Sequence, residues 1–268
     1  MTVWQVLSTT WNWEPSVLLG CQVLILAYMI VLRFRLPKRA LFYLAGVLIL
    51  LLDLVSPLDM LAHTYLFSAH MVQHLILVLV VPPLLLLGLP AQLMQRILCL
   101  PGLNRLERVL SRPIVAWFLG VGTLWLWHVP FLYNMALEIL GLHVAEHLSF
   151  LVTATIFWWP VLGPLPGRRL PPLMAIIYLF TAGVANSLLG IILTFAPPGL
   201  YPAYLNPIDW YGLLPLLRTD WGISPAVDQQ LGGLLMWIPG GLIILCAILG
   251  ILAYWYNDTS DADIVNYM

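Results

Sequence analysis

His70 and His74 stand four residues apart near the start of a stretch, Leu66 to Pro90, that is apolar enough to cross a bilayer. Positions i and i+4 share one face of a helix, so the two imidazoles project the same way, one turn apart. An ionisable group inside such a stretch needs a partner, a metal or water to offset its desolvation. Two imidazoles on one face can close on a single metal ion. The same spacing recurs at His143 and His147. Neutral imidazole is the commonest metal ligand and suits copper and zinc. Two pairs converging from neighbouring helices supply four nitrogens, with His63 and His128 as further candidate ligands. Asp53, Asp59 and Glu146 fall at the same level and can hold a ligating imidazole through its other ring nitrogen. Met60, Met71 and Met236 add thioethers of the kind that favour Cu(I). Asp228, Gln229 and Gln230 bring further polar groups to that level.

The elements that must position these residues are transmembrane helices. Of 268 residues, 62% are hydrophobic and only 9% charged, and the mean hydropathy is +0.95; a soluble domain carries roughly a quarter charged residues. The chain reads as an integral, all-α membrane protein, a single domain over 1–268 with no internal repeat. A net charge of -1 gives no reason to expect a nucleic-acid partner. Seven apolar runs are each read as a span of a hydrocarbon core about 30 Å thick: Val17 to Leu32, Ala40 to Val55, Leu66 to Leu87, Ile114 to His128, Val144 to Leu162, Leu173 to Phe195 and Leu231 to Trp255. The fourth is short and is expected to recruit flanking residues. Pro82 and Pro83 are expected to kink the third, and Pro239 with Gly240 and Gly241 to bend the seventh. Asn186 in the sixth reads as interhelical glue.

Lys and Arg accumulate in short cytoplasmic loops. Arg33, Arg35, Lys38 and Arg39 follow the first run, Arg96, Arg105, Arg108 and Arg112 the third, and Arg168 and Arg169 the fifth. The opposite loops, Ser56 to Tyr65, Val129 to His143 and Ala196 to Gln230, hold one basic residue, Arg218. The N-terminus is therefore expected outside the cytoplasm and the C-terminal tail, with Asp258, Asp261 and Asp263, inside. All six histidines then fall at the outer ends of helices. No cleavable signal peptide is read, because the first basic residue is Arg33; Trp4, Trp11 and Trp13 read instead as an interfacial anchor. The longest outer loop, Ala196 to Gln230, is placed to cap a site or receive a partner. Cys21, Cys99 and Cys246 stand far apart, suggesting neither a disulfide framework nor a thiolate metal site.

Other chemistries compete for the histidines. Residues 143–147 spell H-x-x-E-H, in which two histidines hold zinc and the glutamate is general base, but a zinc hydrolase leaves His70 and His74 unexplained. Imidazoles on facing helices could hold haem, although histidines at one depth provide no second haem level for electron transfer across the membrane. A helix bundle can also serve as a metal-free docking scaffold. Copper binding without catalysis accounts for more of the pattern.

The stretch SPLDMLAHTYLFSAHMVQHLILVLVVPPLLLLGLP, Ser56 to Pro90, resembles the signature of the seven-helix CtaG family of cytochrome c oxidase assembly factors. LWHVPFLYNMAL and HVAEHLSFLVTATIFWWPVLGPLPG, between Leu126 and Gly167, and DQQLGGLLMWIPGG, Asp228 to Gly241, are similar to that family as well. The resemblance implies a bacterial inner-membrane protein that is needed to form active haem-copper oxidase and helps deliver copper to the oxidase catalytic subunit. A periplasmic copper donor is a further expected partner. The family's histidines match His70, His74, His128 and His147; the case for His63 and His143 rests mainly on spacing.

Overall fold

The structure, a computed structural model, describes residue 5 and residues 8–266, with side chains up to 257. Trp4 and the side chains of Asp258, Asp261 and Asp263 lie outside the described residues. Within them the chain is helical and contains no strand. We number the α-helices in chain order: α1 (Pro15–Val31), α2 (Ala40–Val55), α3 (Pro57–Thr64), α4 (Phe67–Leu75), α5 (Val81–Gly88), α6 (Ala91–Leu98), α7 (Pro101–Leu110), α8 (Pro113–Trp127), α9 (Pro130–Glu138), α10 (Leu140–Leu162), α11 (Pro172–Phe195) and α12 (Pro225–Asn266).

Four helices are long and apolar enough to cross a membrane: Phe67–Gly88, in which α4 and α5 are joined by a π-helical turn over Ile76–Val80, then α10, α11 and α12. The number rises to six if α2 with α3, bent by 49°, and α7 with α8, bent by 70°, each count as one span; α1 is a shorter apolar helix. The helices expose large apolar side chains such as Leu26, Phe118, Val152, Phe180 and Leu249. Alkyl surface of that extent belongs against lipid, and the molecule is a multi-pass membrane protein.

Phe67–Gly88 is the axis of the bundle. More of it is buried (56%) than of the other three long spans (at most 39%), and it packs against α2, α10 and α12. Pro82 and Pro83 have no N–H to donate, so the helix has a carbonyl to satisfy by other means. The π turn immediately precedes them, and Trp158 of α10 donates its indole N–H to the Val78 carbonyl at 3.0 Å. An indole from a neighbouring helix thus completes the backbone hydrogen bonding at the expected kink.

Three expectations shift. The residues flanking the short α8 turn away from it, because α7 crosses at 70°. α12 begins at Pro225, before Leu231, and contains Pro239. The loop expected over Val129 to His143 is mostly helix, α9 followed by the first turn of α10. The long segment between α11 and α12 folds back over the bundle. Tyr201 donates to the His128 carbonyl and Tyr204 to the Ala62 carbonyl, while Arg218 donates to the carbonyls of Tyr204 and Ile223. The other end of the bundle gathers the basic loops: Arg168 pairs with Glu107 of α7, and Arg35 and Arg39 line one hollow with Pro90 and Gln92. Cys21, Cys99 and Cys246 are all free thiols.

Candidate metal centre

The site begins with the way α4 starts. Leu66 is extended and provides no side-chain cap, which leaves the first N–H groups of the helix without intrahelical acceptors. Asp228, at the start of α12, provides them in trans: its carboxylate accepts from Phe67 N at 2.8 Å, Ser68 N at 3.0 Å and Ser68 Oγ at 2.6 Å. A carboxylate at the positive end of the helix also complements its dipole. The next residues of α4 on the inward face are His70 and His74, both wholly buried.

α10 brings its own pair alongside. The ring centroids of His143 and His147 are 4.2 Å apart and those of His70 and His74 4.3 Å. Across the two helices, His70 lies 5.6 Å from His143 and 5.8 Å from His147, and His74 lies 5.9 Å from His147. Glu146 is wholly buried among them, its Oε1 3.4 Å from His74 Nε2. One donor atom from each of His70, His74, Glu146 and His147 lies within 4.8 Å of the other three. Glu146 thus stands beside the nitrogen donors, within reach of His74.

The hydrogen bonds assign the proton on two of the rings. Tyr204 donates its only hydroxyl hydrogen to the Ala62 carbonyl, so its oxygen accepts from His70 Nδ1 at 3.0 Å and from Tyr133 at 3.1 Å. His70 is therefore protonated at Nδ1 and presents the lone pair of Nε2, which has no partner. His128, capping the end of α8, places Nδ1 2.7 Å from the Leu124 carbonyl; a carbonyl only accepts, so Nε2 again carries the lone pair. Its neighbour is Met71 Sδ at 3.3 Å. Nε2 of His143 and of His147, both nitrogens of His74 and both oxygens of Glu146 are likewise buried without hydrogen-bond partners. Unpaired buried polar atoms each carry a desolvation cost, and here they converge on one place. A nitrogen-rich donor set with one carboxylate suits copper or zinc.

The remaining expected residues divide. His63 is exposed on α3 with its ring 4.8 Å from that of His143. Asp59 accepts from Gln73 Nε2 and from Asn12 Nδ2. Asp53 is buried with both carboxylate oxygens unpartnered, and Gln73 Nε2 also donates to its backbone carbonyl. Met60 packs in a separate apolar cluster with Tyr65, Leu213 and Leu217 under the overlying segment. Met236 lines a cavity of ≈ 40 Å³ with His74 and Asn186, and Asn186 donates across to the Met236 carbonyl. Tyr204, Tyr133 and Gln73 escape sequence reasoning; the first acts from a segment 134 residues beyond His70, and no local pattern announces that contact.

A model of the cytochrome c oxidase caa3 assembly factor family matches residues 24–258. An uncharacterized protein of Mycobacterium leprae is 27% identical over 205 residues, 70% of this chain and 30% of the relative. Uncharacterized proteins of Mycobacterium bovis and Mycobacterium tuberculosis are each 28% identical over the same shares. The chain thus spans about a third of the length of these curated relatives. No solved structure matches it.

Proposed function

The chain belongs to the cytochrome c oxidase caa3 assembly factor family, and from that premise we propose that it binds copper between α4 and α10 and passes the ion to the catalytic subunit of a haem-copper oxidase. In this reading it spans a bacterial inner membrane seven times, α1 and both bent pairs included, with the N-terminus and the histidine end outside and the C-terminus in the cytoplasm. Copper is cargo, supplied from the outer side by a periplasmic donor, and the protein makes and breaks no covalent bond of a substrate.

The observation that carries the reading is the convergence of His70, His74, Glu146 and His147 within 4.8 Å, with nitrogen and carboxylate lone pairs that nothing else uses. The exposed His63 beside His143 supports transfer, since it gives the buried donors a ligand-to-ligand connection with the surface. Exchange between imidazoles a few ångströms apart lets an ion move without crossing apolar space bare. Haem fits poorly: the rings lie against one another, and the cavity beside His74 is ≈ 40 Å³, against roughly 300 Å³ or more for small-molecule sites.

The test is elemental analysis of the purified full chain carrying His70→Ala with His74→Ala. Copper is expected to drop to background while the helical circular dichroism stays that of the wild type. Copper retained at the wild-type ratio would falsify the assignment, and stoichiometric zinc in its place would redirect it.

A further inference from the structure

We propose a second, softer metal position next to the first, formed by His128 Nε2 and Met71 Sδ, that selects Cu(I). The proposal rests on copper being the cargo and adds where the ion goes after the nitrogen-rich cluster. Its basis is a contact that hydrogen bonding does not explain. His128 Nδ1 donates to the Leu124 carbonyl at 2.7 Å, so the neutral ring turns a bare lone pair from Nε2 toward Met71 Sδ, 3.3 Å away. A thioether has no hydrogen to give. Two acceptors therefore face each other inside the protein, His128 4% exposed and Met71 wholly buried. A cation shared between them turns this unfavourable juxtaposition into a favourable one. With bonds of about 2.0 Å to nitrogen and about 2.3 Å to sulfur, a 3.3 Å separation subtends about 100° at the ion, near the tetrahedral angle.

The identity of the ion follows from the donors. Thioether sulfur is a soft ligand that selects Cu(I), and a neutral nitrogen and sulfur pair adds no negative charge to hold a divalent ion. The outer cluster differs, because it contains the Glu146 carboxylate. His74, a member of that cluster, is its link to the second position: its ring is 5.3 Å from that of His128 and 4.3 Å from that of His70, and both of its nitrogens lack hydrogen-bond partners. Neighbouring rings thus connect the exposed His63 to His143, His143 to His70 and His147, these to His74, and His74 to His128 beside Met71. The softest donor on that path, the Met71 thioether, stands at the end farthest from His63. An ion arriving as Cu(I) is drawn toward Met71, whereas a zinc ion is best held at the carboxylate.

Full-length protein in detergent, titrated anaerobically with Cu(I) against a chromogenic chelator and then examined by X-ray absorption, decides the matter. The wild type is expected to bind a second equivalent of Cu(I) beyond the outer cluster and to show copper–sulfur scattering. Met71→Leu, which keeps the side chain's bulk, is expected to lose that equivalent and the sulfur scattering while still binding zinc at the outer cluster. Wild-type copper with nitrogen and oxygen scattering alone would overturn the second position and leave the proposed function standing; no copper at all would overturn both. Should Met71→Leu misfold, the wild-type scattering still separates sulfur ligation from nitrogen and oxygen ligation alone. Sulfur scattering that persists in a folded Met71→Leu protein would exclude Met71 as its source and overturn the assignment.

Discussion

Tyr204 determines what His70 can do. Because its hydroxyl hydrogen goes to the Ala62 carbonyl, its oxygen holds the Nδ1 proton of His70 and leaves Nε2 as the donor. Tyr204→Phe removes that acceptor along with the one Tyr133 uses. The ring is then free to take the other tautomer or to turn. Hydrogen-bond partners behind a ligating histidine are typically worth 10–100-fold in metal affinity, and a loss of about that size is expected for Tyr204→Phe by chelator competition, with the helical signal unchanged. Equal affinity in mutant and wild type would show that the tautomer is set elsewhere. The histidine pairs themselves were legible in the sequence, because i,i+4 spacing on an apolar helix needs no tertiary information. Tyr204 was not legible, since a tyrosine in a long loop has no signature that distinguishes a buried hydrogen-bond acceptor from a membrane-interface anchor. Met71 could be named as a soft candidate, yet its partner was unreadable until α8 was placed against α4.

Helix contacts hold these residues in register. α11 and α12 approach closely at two glycines: a Cβ on Gly233 would lie 2.4 Å from the Thr194 backbone nitrogen, and one on Gly190 would lie 2.6 Å from the Trp237 nitrogen. Neither obstacle is a side chain that can swing away. Small residues of this kind allow backbones to approach where water supplies no driving force. Gly233→Ala is expected to force the helices apart at a cost of about 1–3 kcal/mol, read as a lower midpoint of thermal unfolding in detergent. Gly122→Ala, with open space around its Cβ, serves as the control and should not lower that midpoint. An unchanged midpoint for Gly233→Ala would mean that the close approach carries no stability. α12 also presents Asp228, which caps α4, so the same displacement should weaken copper retention. The apolar runs were readable because lipid imposes length and hydropathy on each one. The π turn before Pro82 and the early start of α12 were not, because each is bound up with a neighbouring helix: Trp158 satisfies Val78, and Asp228 reaches α4 from before the apolar run begins.

On the scale of the whole molecule, the proposed function depends on which end of the bundle faces the supply of copper. The histidines gather at one end of the bundle and the basic loops at the other, and Phe67–Gly88 crosses between the two once. Burial and the nearby Arg39 both lower the pKa of Arg169, which places two of the basic loops side by side. The anionic inner leaflet attracts such clustered Lys and Arg, and the proposed orientation, with this end in the cytoplasm, rests on that positive-inside preference. The chain carries its own reporter of this arrangement, because Cys99 is exposed between α6 and α7 near the basic end, while Cys21 is buried. In a variant with Cys21→Ala and Cys246→Ala, a membrane-impermeant maleimide added to intact spheroplasts should leave Cys99 unmodified, and the same reagent on inverted vesicles should label it. His63→Cys in a background that also carries Cys99→Ala should show the reverse. One crossing lies between residues 63 and 99, so the two reporters must disagree about sides whatever the total number of spans. If Cys99 reacts from outside and residue 63 from inside, the histidine end faces the cytoplasm. The copper would then have to come from a cytoplasmic donor, and delivery from the outer side would be excluded even with every ligand in place.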